Sequence, residues 1–347
     1  MAKAKTLFFI SPRRVEIHET PLPRLKEDEA LVETVFSAIS AGTEMLVYRG
    51  QFPQLEDARD AVSANLKYPL EYGYACVGRV KETGRQTDRS LQGRLVFAFH
   101  AHASQFILRS SSLIPLPEGL SPEAACFLPN METAVNLVQD GAPILGERVL
   151  VLGQGVVGLL TASLLNEFPL ERLVTVDGFE LRRNAIHAEG QGSKVKSLAP
   201  QDLRPSAFDP FDLTFELTGS PSALNDAIEQ TAFSGRIVIG SWYGQKRGEI
   251  NLGGKFHRSR IKVISSQVSS ISPELSGRWD KPRRFDVAWK ALERIKPEKW
   301  ITHRFPIEEA AKAYQLLDEN PQETIQVVFD FGTQKPLNSN LRTPLSP

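Results

Sequence analysis

Three glycines and one acid are the residues whose types and spacing speak most directly of chemistry. Gly153-Gln154-Gly155-Val156-Val157-Gly158 follows directly on the apolar run Val149-Leu150-Val151-Leu152, and an apolar stretch from Leu159 to Phe168 comes next. A second apolar run, Arg172-Leu173-Val174-Thr175-Val176, ends at Asp177, nineteen positions beyond Gly158. The order predicts a strand, a tight turn, a helix and a second strand closed by an acid. Gly153 permits the turn, Gly155 lets the backbone approach a pyrophosphate, and Gly158 allows the helix to pack closely on its strand. The unpaired N–H groups at the helix start then face the anion. The residues thus form a dinucleotide-binding unit, with Gln154, Val156 and Val157 in the same loop and turn. Asp177 can accept both adenosine ribose hydroxyls and would repel a 2′-phosphate, which favours NAD. Arg182 and Arg183 could offset that charge, which leaves NADP open. The plainer reading of Asp177 is a helix cap.

The neighbouring segments extend the same pattern. Asp212-Leu213-Thr214-Phe215-Glu216-Leu217 reads as a strand ending at Thr218-Gly219, and Gly235-Arg236-Ile237-Val238-Ile239 as another ending at Gly240. In an open parallel sheet, ligands bind at such strand ends, so Thr218, Gly219 and Gly240 join the cofactor-binding candidates. Trp242 and Tyr243, just beyond, either line a nicotinamide pocket or pack on a second domain. His100 and His102 stand two apart at the end of the run Arg94–Phe99. Period-two spacing would place both rings on one face, where they can begin a metal site or form a hydrogen-bonded pair. His257, Arg258 and Arg260 form either an anion clamp or a solvated basic turn.

Positioning these residues takes more than one core. The chain has 347 residues, which favours two domains. Residues 6 to about 125 are β-rich, with short runs such as Ala30–Val35 separated by Gly, Pro and charged clusters. From about 131 to 297, helical and strand patterns alternate, as in βαβ units on a parallel sheet. Residues 51–67 read as a loop or short helix and Pro273–Pro282 as a loop. Residues 307–318 read as a helix burying Ile307, Ala310, Ala311, Tyr314 and Leu317, and Thr324–Phe331 as a last strand. Residues 333–347 read as a flexible tail. The expected class is α/β: a Rossmann doubly wound parallel sheet plus an N-terminal β-rich domain.

Composition narrows the partners. Lys plus Arg and Asp plus Glu both number 41, so no global field favours nucleic acid or an anionic membrane. No apolar run approaches the length of a membrane span. The only cysteines are Cys76 and Cys126, too few for a disulfide framework and with no Cys-x-x-Cys pair, which points to a cytoplasmic protein.

The order of segments resembles the medium-chain dehydrogenase/reductase superfamily, the zinc alcohol dehydrogenase-like group, over residues 6 to about 332. The stretches that carry the likeness are Ser37-Ala38-Ile39-Ser40-Ala41-Gly42-Thr43-Glu44, with Tyr48-Arg49-Gly50 after it, and Pro69-Leu70-Glu71-Tyr72-Gly73-Tyr74-Ala75-Cys76-Val77-Gly78. With Lys255–Arg260 and Ser265–Val268, they look most like the bacteriochlorophyllide a dehydrogenase group, whose type member oxidises a hydroxyethyl side chain to an acetyl.

The resemblance implies a GroES-like domain at 1–130 plus 298–332, a Rossmann domain at 131–297, a homodimer built on an edge strand after residue 260, and hydride transfer to or from a small molecule. Zinc-dependent members carry Cys-Gly-Ser/Thr-Asp where this chain has Ala41-Gly42-Thr43-Glu44, and Gly-His-Glu where it has Gly73-Tyr74-Ala75. A further family glutamate falls at Leu128. Zinc needs three or four Cys, His or carboxylate ligands, so neither catalytic nor structural zinc is expected. Thr43 then occupies the family's hydroxyl-relay position and Tyr74 replaces a metal ligand. The two are the expected proton-handling pair, with Glu44 orienting them and His100 as a further base. Plainer roles are a capping hydroxyl for Thr43, interface packing for Tyr74 and a salt bridge to an arginine for Glu44. The expected reaction is interconversion of a secondary alcohol and a ketone. A zinc-independent NADPH enone or quinone reductase, or a dinucleotide-binding relative without activity, fits the same residues.

Overall fold

A computed structural model describes residues 2–53, 66–186, 195–204 and 208–332. The tail 333–347 and most of the segment 51–67 lie outside the described residues.

Strands β1 (Lys3–Ser11) and β2 (Arg14–Pro21) form an antiparallel hairpin, followed by β3 (Glu29–Ala38) and helix α1 (Thr43–Arg49). Then come β4 (Leu70–Glu71), β5 (Cys76–Thr83), β6 (Leu95–Ala98), β7 (Gln105–Arg109) and β8 (Ile114–Pro115). Helices α2 (Pro122–Ala125) and α3 (Leu128–Gly141) lead to β9 (Arg148–Leu152), α4 (Val156–Asn166), β10 (Arg172–Val176), α5 (Glu180–Ala185) and β11 (Val195–Leu198). The chain continues through β12 (Phe211–Glu216), α6 (Ala223–Gln230), β13 (Thr231–Ile239), β14 (Lys262–Ser265) and α7 (Lys281–Ile295). It ends with β15 (Ile301–Phe305), α8 (Ala310–Glu319) and β16 (Gln326–Asp330).

Six strands make one all-parallel sheet in the order β11-β10-β9-β12-β13-β14. The order reverses beside β9, so a crevice opens between the carboxyl ends of β9 and β12, where open α/β sheets bind their ligands. Strand β9 is buried on both faces: Val149 and Val151 enter one apolar cluster, Leu150 and Leu152 the other. Helices on each side cover a parallel sheet, which is why its strands read as unbroken apolar runs rather than alternating ones.

The remaining strands form two antiparallel-rich sheets. One is β2-β1-β4; the other is β15-β16-β3-β5-β6-β8, with β7 also on β3. Late strand β16 pairs antiparallel with β3, so the chain returns to its first domain. Helix α3 runs unbroken through residues 130 and 131, packed on α4 and α7. Helix α8 buries Ala310, Ala313, Tyr314 and Leu317 at helical spacing. Ala311, expected on that face, is exposed, and Ala313 takes its place, because the residues before Ala310 form a tighter 3₁₀ turn that shifts the helical phase.

Candidate active site

At the carboxyl end of β9, Gly153 has φ +92, and a Cβ there would meet the Leu217 carbonyl oxygen at 2.6 Å. Only glycine fits that turn. A Cβ at Gly158 would run into the Gly153 carbonyl oxygen, so helix α4 can approach its strand only with glycine there. Gly155, the N-cap of α4, differs: a Cβ there would meet nothing within 4 Å, and no side chain caps the helix. The start of α4 thus has open space at Gly155 and no side-chain cap, as a phosphate-binding helix start requires. Val156 is buried and Val157 partly buried against the core, so both present only backbone to that space.

Asp177 is almost fully buried beside this loop. One carboxylate oxygen accepts the Gln154 N–H at 2.7 Å and the other the Phe179 N–H at 2.8 Å. The acid that would hold a ribose therefore also braces the glycine turn. Gln154 is fully buried, and its Oε1 has no protein partner among the described residues. An unsatisfied buried acceptor calls for a donor from outside the chain. Together these features fit a dinucleotide.

The other cofactor-binding candidates divide. Arg182 turns to the carbonyls of Pro321 (3.0 Å) and Thr324 (3.1 Å) and stacks on Phe179, which commits its guanidinium to the return segment. Arg183 donates to the Asp177 and Gly178 carbonyls and stays near the acid. Gly219 has φ +72, and its N–H donates to the Ser241 hydroxyl. Gly240 is fixed by packing instead: a Cβ there would meet Leu137 and Leu217, each at 2.6 Å.

The crevice also holds a carboxylate that sequence reasoning passed over. Glu216, fully buried at the end of β12, accepts the N–H of Thr218 at 2.8 Å, its hydroxyl as well, and the Tyr243 hydroxyl at 2.5 Å. Burial, and then the Glu216 carboxylate, push the Tyr243 phenol far above its ordinary range. Trp242 packs on the cluster of the first domain, and Gln245 donates to the Gln51 and Phe52 carbonyls, so residues 242–245 tie the two domains together. An acid at a strand end, followed by Thr-Gly, is the signal that could have found Glu216.

The first domain contributes a cluster of hydroxyls. The Tyr74 hydroxyl donates to Ser40 Oγ at 2.5 Å, and Thr43 also lies within hydrogen-bonding reach of it. The phenol is pushed up to about 12, first by burial and then by the nearby Glu44 carboxylate. Glu44 is fully buried and accepts the Ser40 N–H (2.8 Å), His102 Nε2–H (2.8 Å) and the Tyr314 hydroxyl (2.6 Å). The other ring nitrogen, Nδ1, bonds the Ser37 hydroxyl. The partner of Glu44 is thus a histidine and a tyrosine, not an arginine. Its oxygens are committed, which makes it an anchor for the hydroxyl cluster rather than a base.

The structure corrects the paired-histidine expectation. Strand β6 ends at Ala98, so residues 100–102 lie beyond it and do not share a strand face. His102 is locked in the Glu44 network, while His100 stacks on Phe106 and its Nδ1 bonds the Ala101 carbonyl. Burial lowers the His100 ring below the usual histidine range, so it favours the neutral form. No described contact brings His100 to Tyr74 or Thr43. Exposed His257, Arg258 and Arg260 precede the edge strand β14, at the end of the sheet opposite the crevice, which removes them from a cofactor clamp. Ser266 lies just past β14 rather than on it and bonds Asn136 and Asp140.

A zinc ion of the usual kind does not fit this donor set. Ala41 has no ligating atom, Leu128 is buried in the apolar core, and the Tyr74 hydroxyl is protonated and bonded to Ser40. Among the described residues, no group of three or more His, Cys, Asp or Glu is placed to hold a metal ion.

No family model matches the chain. Individual proteins do match over nearly its full length. L-threonine 3-dehydrogenase of Stenotrophomonas maltophilia is 22% identical over 338 residues, spanning 87% of this chain and 93% of that protein. D-guloside 3-dehydrogenase of Escherichia coli is 21% identical over 357 residues, spanning 94% and 100%. The fold matches that of the alcohol dehydrogenase RspB of Escherichia coli, solved with NADH, at a TM-score of 0.74 and 18% identity over 95% of this chain and 100% of that one.

Proposed function

With the chain a member of the alcohol dehydrogenase-like medium-chain dehydrogenase/reductase superfamily and an oxidoreductase of that type, we propose that it interconverts a secondary alcohol and a ketone by hydride transfer without catalytic zinc. The observation that carries this reading is the hydroxyl cluster of Tyr74, Ser40 and Thr43 in a chain whose parallel sheet carries the glycine loop.

A bound nicotinamide supplies the hydride acceptor or donor. Everything else falls to the chain. Gly155 and the start of α4 seat the pyrophosphate, Asp177 accepts the ribose hydroxyls, and Tyr74 and Thr43 hold the substrate oxygen. Removing hydride from a secondary alcohol leaves a carbonyl, and the hydroxyl proton must leave as the C–H bond breaks. Zinc would acidify that alcohol; here the side-chain hydroxyls take the proton or stabilise the oxygen as its charge develops. Tyr74 remains a neutral phenol at neutral pH, so it acts as a hydrogen-bond partner and proton conduit rather than a standing base.

Asp177 favours NAD, whereas Arg183, beside it, is the residue positioned to admit NADP. The likeness in motif to the bacteriochlorophyllide a dehydrogenase group supports a hydroxyethyl-bearing or similar small alcohol as substrate. Strand β14 closes the parallel sheet with exposed Val263 at its edge, which supports a homodimer through that edge. Both cysteines are free and buried, in keeping with a cytoplasmic setting, and no helix among the described residues is long and apolar enough to cross a membrane. The balanced charge favours neither nucleic acid nor membrane as partner.

The test is a calorimetric titration with NADH and NADPH, followed by turnover assays of chelator-treated protein on secondary alcohols, sugars and ketones. The proposal expects NADH binding and NAD-linked alcohol oxidation. A preference for NADPH with reduction of enones or quinones would replace it with the reductase reading. Binding with no turnover on any substrate would replace it with a non-catalytic role.

A further inference from the structure

Ser40 has no part in the glycine loop and stands in no zinc-ligand position, yet the hydroxyl cluster converges on it. Its Oγ accepts the Tyr74 hydroxyl at 2.5 Å and, more weakly, the Thr43 N–H at 3.4 Å. Its own N–H is held by Glu44 Oε1 at 2.8 Å. Glu44 is itself fixed by His102 and Tyr314, so the backbone carrying Ser40 is pinned from beneath. A serine hydroxyl is one donor and two acceptors. With both acceptor sites in use, the Ser40 proton is left over, and no described protein group accepts it. Ser40 is half-buried and precedes exposed Ala41 and Gly42, so that proton lies one step from solvent.

We propose that Ser40 receives the Tyr74 phenolic proton during alcohol oxidation and passes its own to water. The proposal rests on the hydride-transfer reading above. Hydride leaves the substrate carbon for the nicotinamide as the C–O bond becomes a carbonyl. The substrate hydroxyl proton moves to Tyr74 Oη, the Tyr74 proton moves to Ser40 Oγ, and the Ser40 proton moves to a solvent water, which leaves as hydronium. In reduction, the same three protons run inward. No phenolate accumulates at any point, which suits a phenol held at about 12. Thr43 holds the substrate oxygen, and Glu44 sets the angle of Ser40 without exchanging a proton.

The role acts through Tyr74, so the test uses readouts that loss of packing alone would not reproduce. Wild type, Ser40→Ala and Ser40→Thr are compared on butane-2,3-diol, 1-phenylethanol and D-sorbitol with NAD, alongside NADH binding by fluorescence and thermal melting. The proposal expects Ser40→Ala to lower kcat by about 10²-fold, the lower end of what positioned proton transfer contributes. KM, NADH affinity and melting temperature stay within about twofold or a few degrees of wild type, as expected for a change confined to the proton-transfer step. Ser40→Thr, which keeps the hydroxyl, restores most of kcat. A kcat for Ser40→Ala equal to wild type overturns the relay while leaving alcohol oxidation intact. So does a Ser40→Thr as slow as Ser40→Ala. A wild type that binds NADH yet oxidises none of the three alcohols overturns the underlying reading, and the relay with it.

Discussion

Two buried carboxylates anchor two candidate regions of the molecule, and they do so differently. Asp177 accepts backbone N–H groups from Gln154 and Phe179, on the loop before it in the sheet and the turn just after it. Glu44 accepts from Ser40, His102 and Tyr314, which reach it from three separate parts of the first domain. The proposed dinucleotide region is built from backbone geometry, where glycines and one acid at fixed spacing suffice. The proposed substrate region is built from side chains that meet only after the chain has folded and returned through α8. The lesson is that a backbone site keeps its identity as long as its spacing is kept. A side-chain site instead depends on groups that the fold brings together from distant parts of the chain.

The largest effect expected from this contrast is at Glu44. Glu44→Ala leaves the Ser40 N–H, His102 and Tyr314 without their shared acceptor in a fully buried site. It should cost about 3–5 kcal/mol in urea denaturation, the range for breaking a buried charged network. A loss under about 1 kcal/mol would mean that Glu44 anchors little. Next, Tyr74→Phe should lower kcat by about 10²-fold with NADH affinity unchanged, because it removes a proton-handling group from one side only. Parallel losses in binding would place Tyr74 on the dinucleotide side instead.

Gly155→Ala sharpens the comparison further. A Cβ there meets no protein atom, so melting should be unaffected, yet NADH affinity should drop about tenfold, or about 1.4 kcal/mol, because the methyl group stands where the pyrophosphate approaches. Unchanged affinity would show that the cofactor lies elsewhere. Asp177→Ala should weaken NADH by up to about tenfold and narrow its advantage over NADPH, since an acceptor and a repulsive charge both vanish. Unaltered selectivity would assign Asp177 to bracing the loop alone.

The smallest effect is with pH. Tyr74 is raised to about 12 and Tyr314 well above its ordinary range, whereas unfolded phenols ionise near 10. Stability from these groups is present below pH 10 and is lost as pH rises from 10 toward 12. Melting temperature should fall between pH 9 and pH 11, and by about 2–4 °C less in Tyr74→Phe. An equal fall in the variant would show that Tyr74 does not ionise on unfolding.

The parallel sheet and its glycine loop were legible because each requirement is local. Gly153 needs a left-handed turn, Gly158 a close helix, and strands buried on both faces need unbroken apolar runs. Glu216 was overlooked because a buried acid inside such a run reads as one more strand residue. Thr218, two positions on, is a local mark, but its partner Tyr243 reaches it only once β12 and β13 stand side by side. His102 was misplaced for a related reason: period-two spacing describes a strand, and β6 stops at Ala98. The pairing of Glu44 with His102 and Tyr314 spans 58 and 270 residues, beyond the reach of any local pattern.

The most direct test of the central claim is NAD-linked oxidation of a secondary alcohol by protein whose metal content is measured by elemental analysis before and after chelation. The account predicts turnover that is unchanged by chelation, with zinc far below one atom per chain. One zinc per chain, whose removal abolishes turnover and whose return restores it, would contradict it.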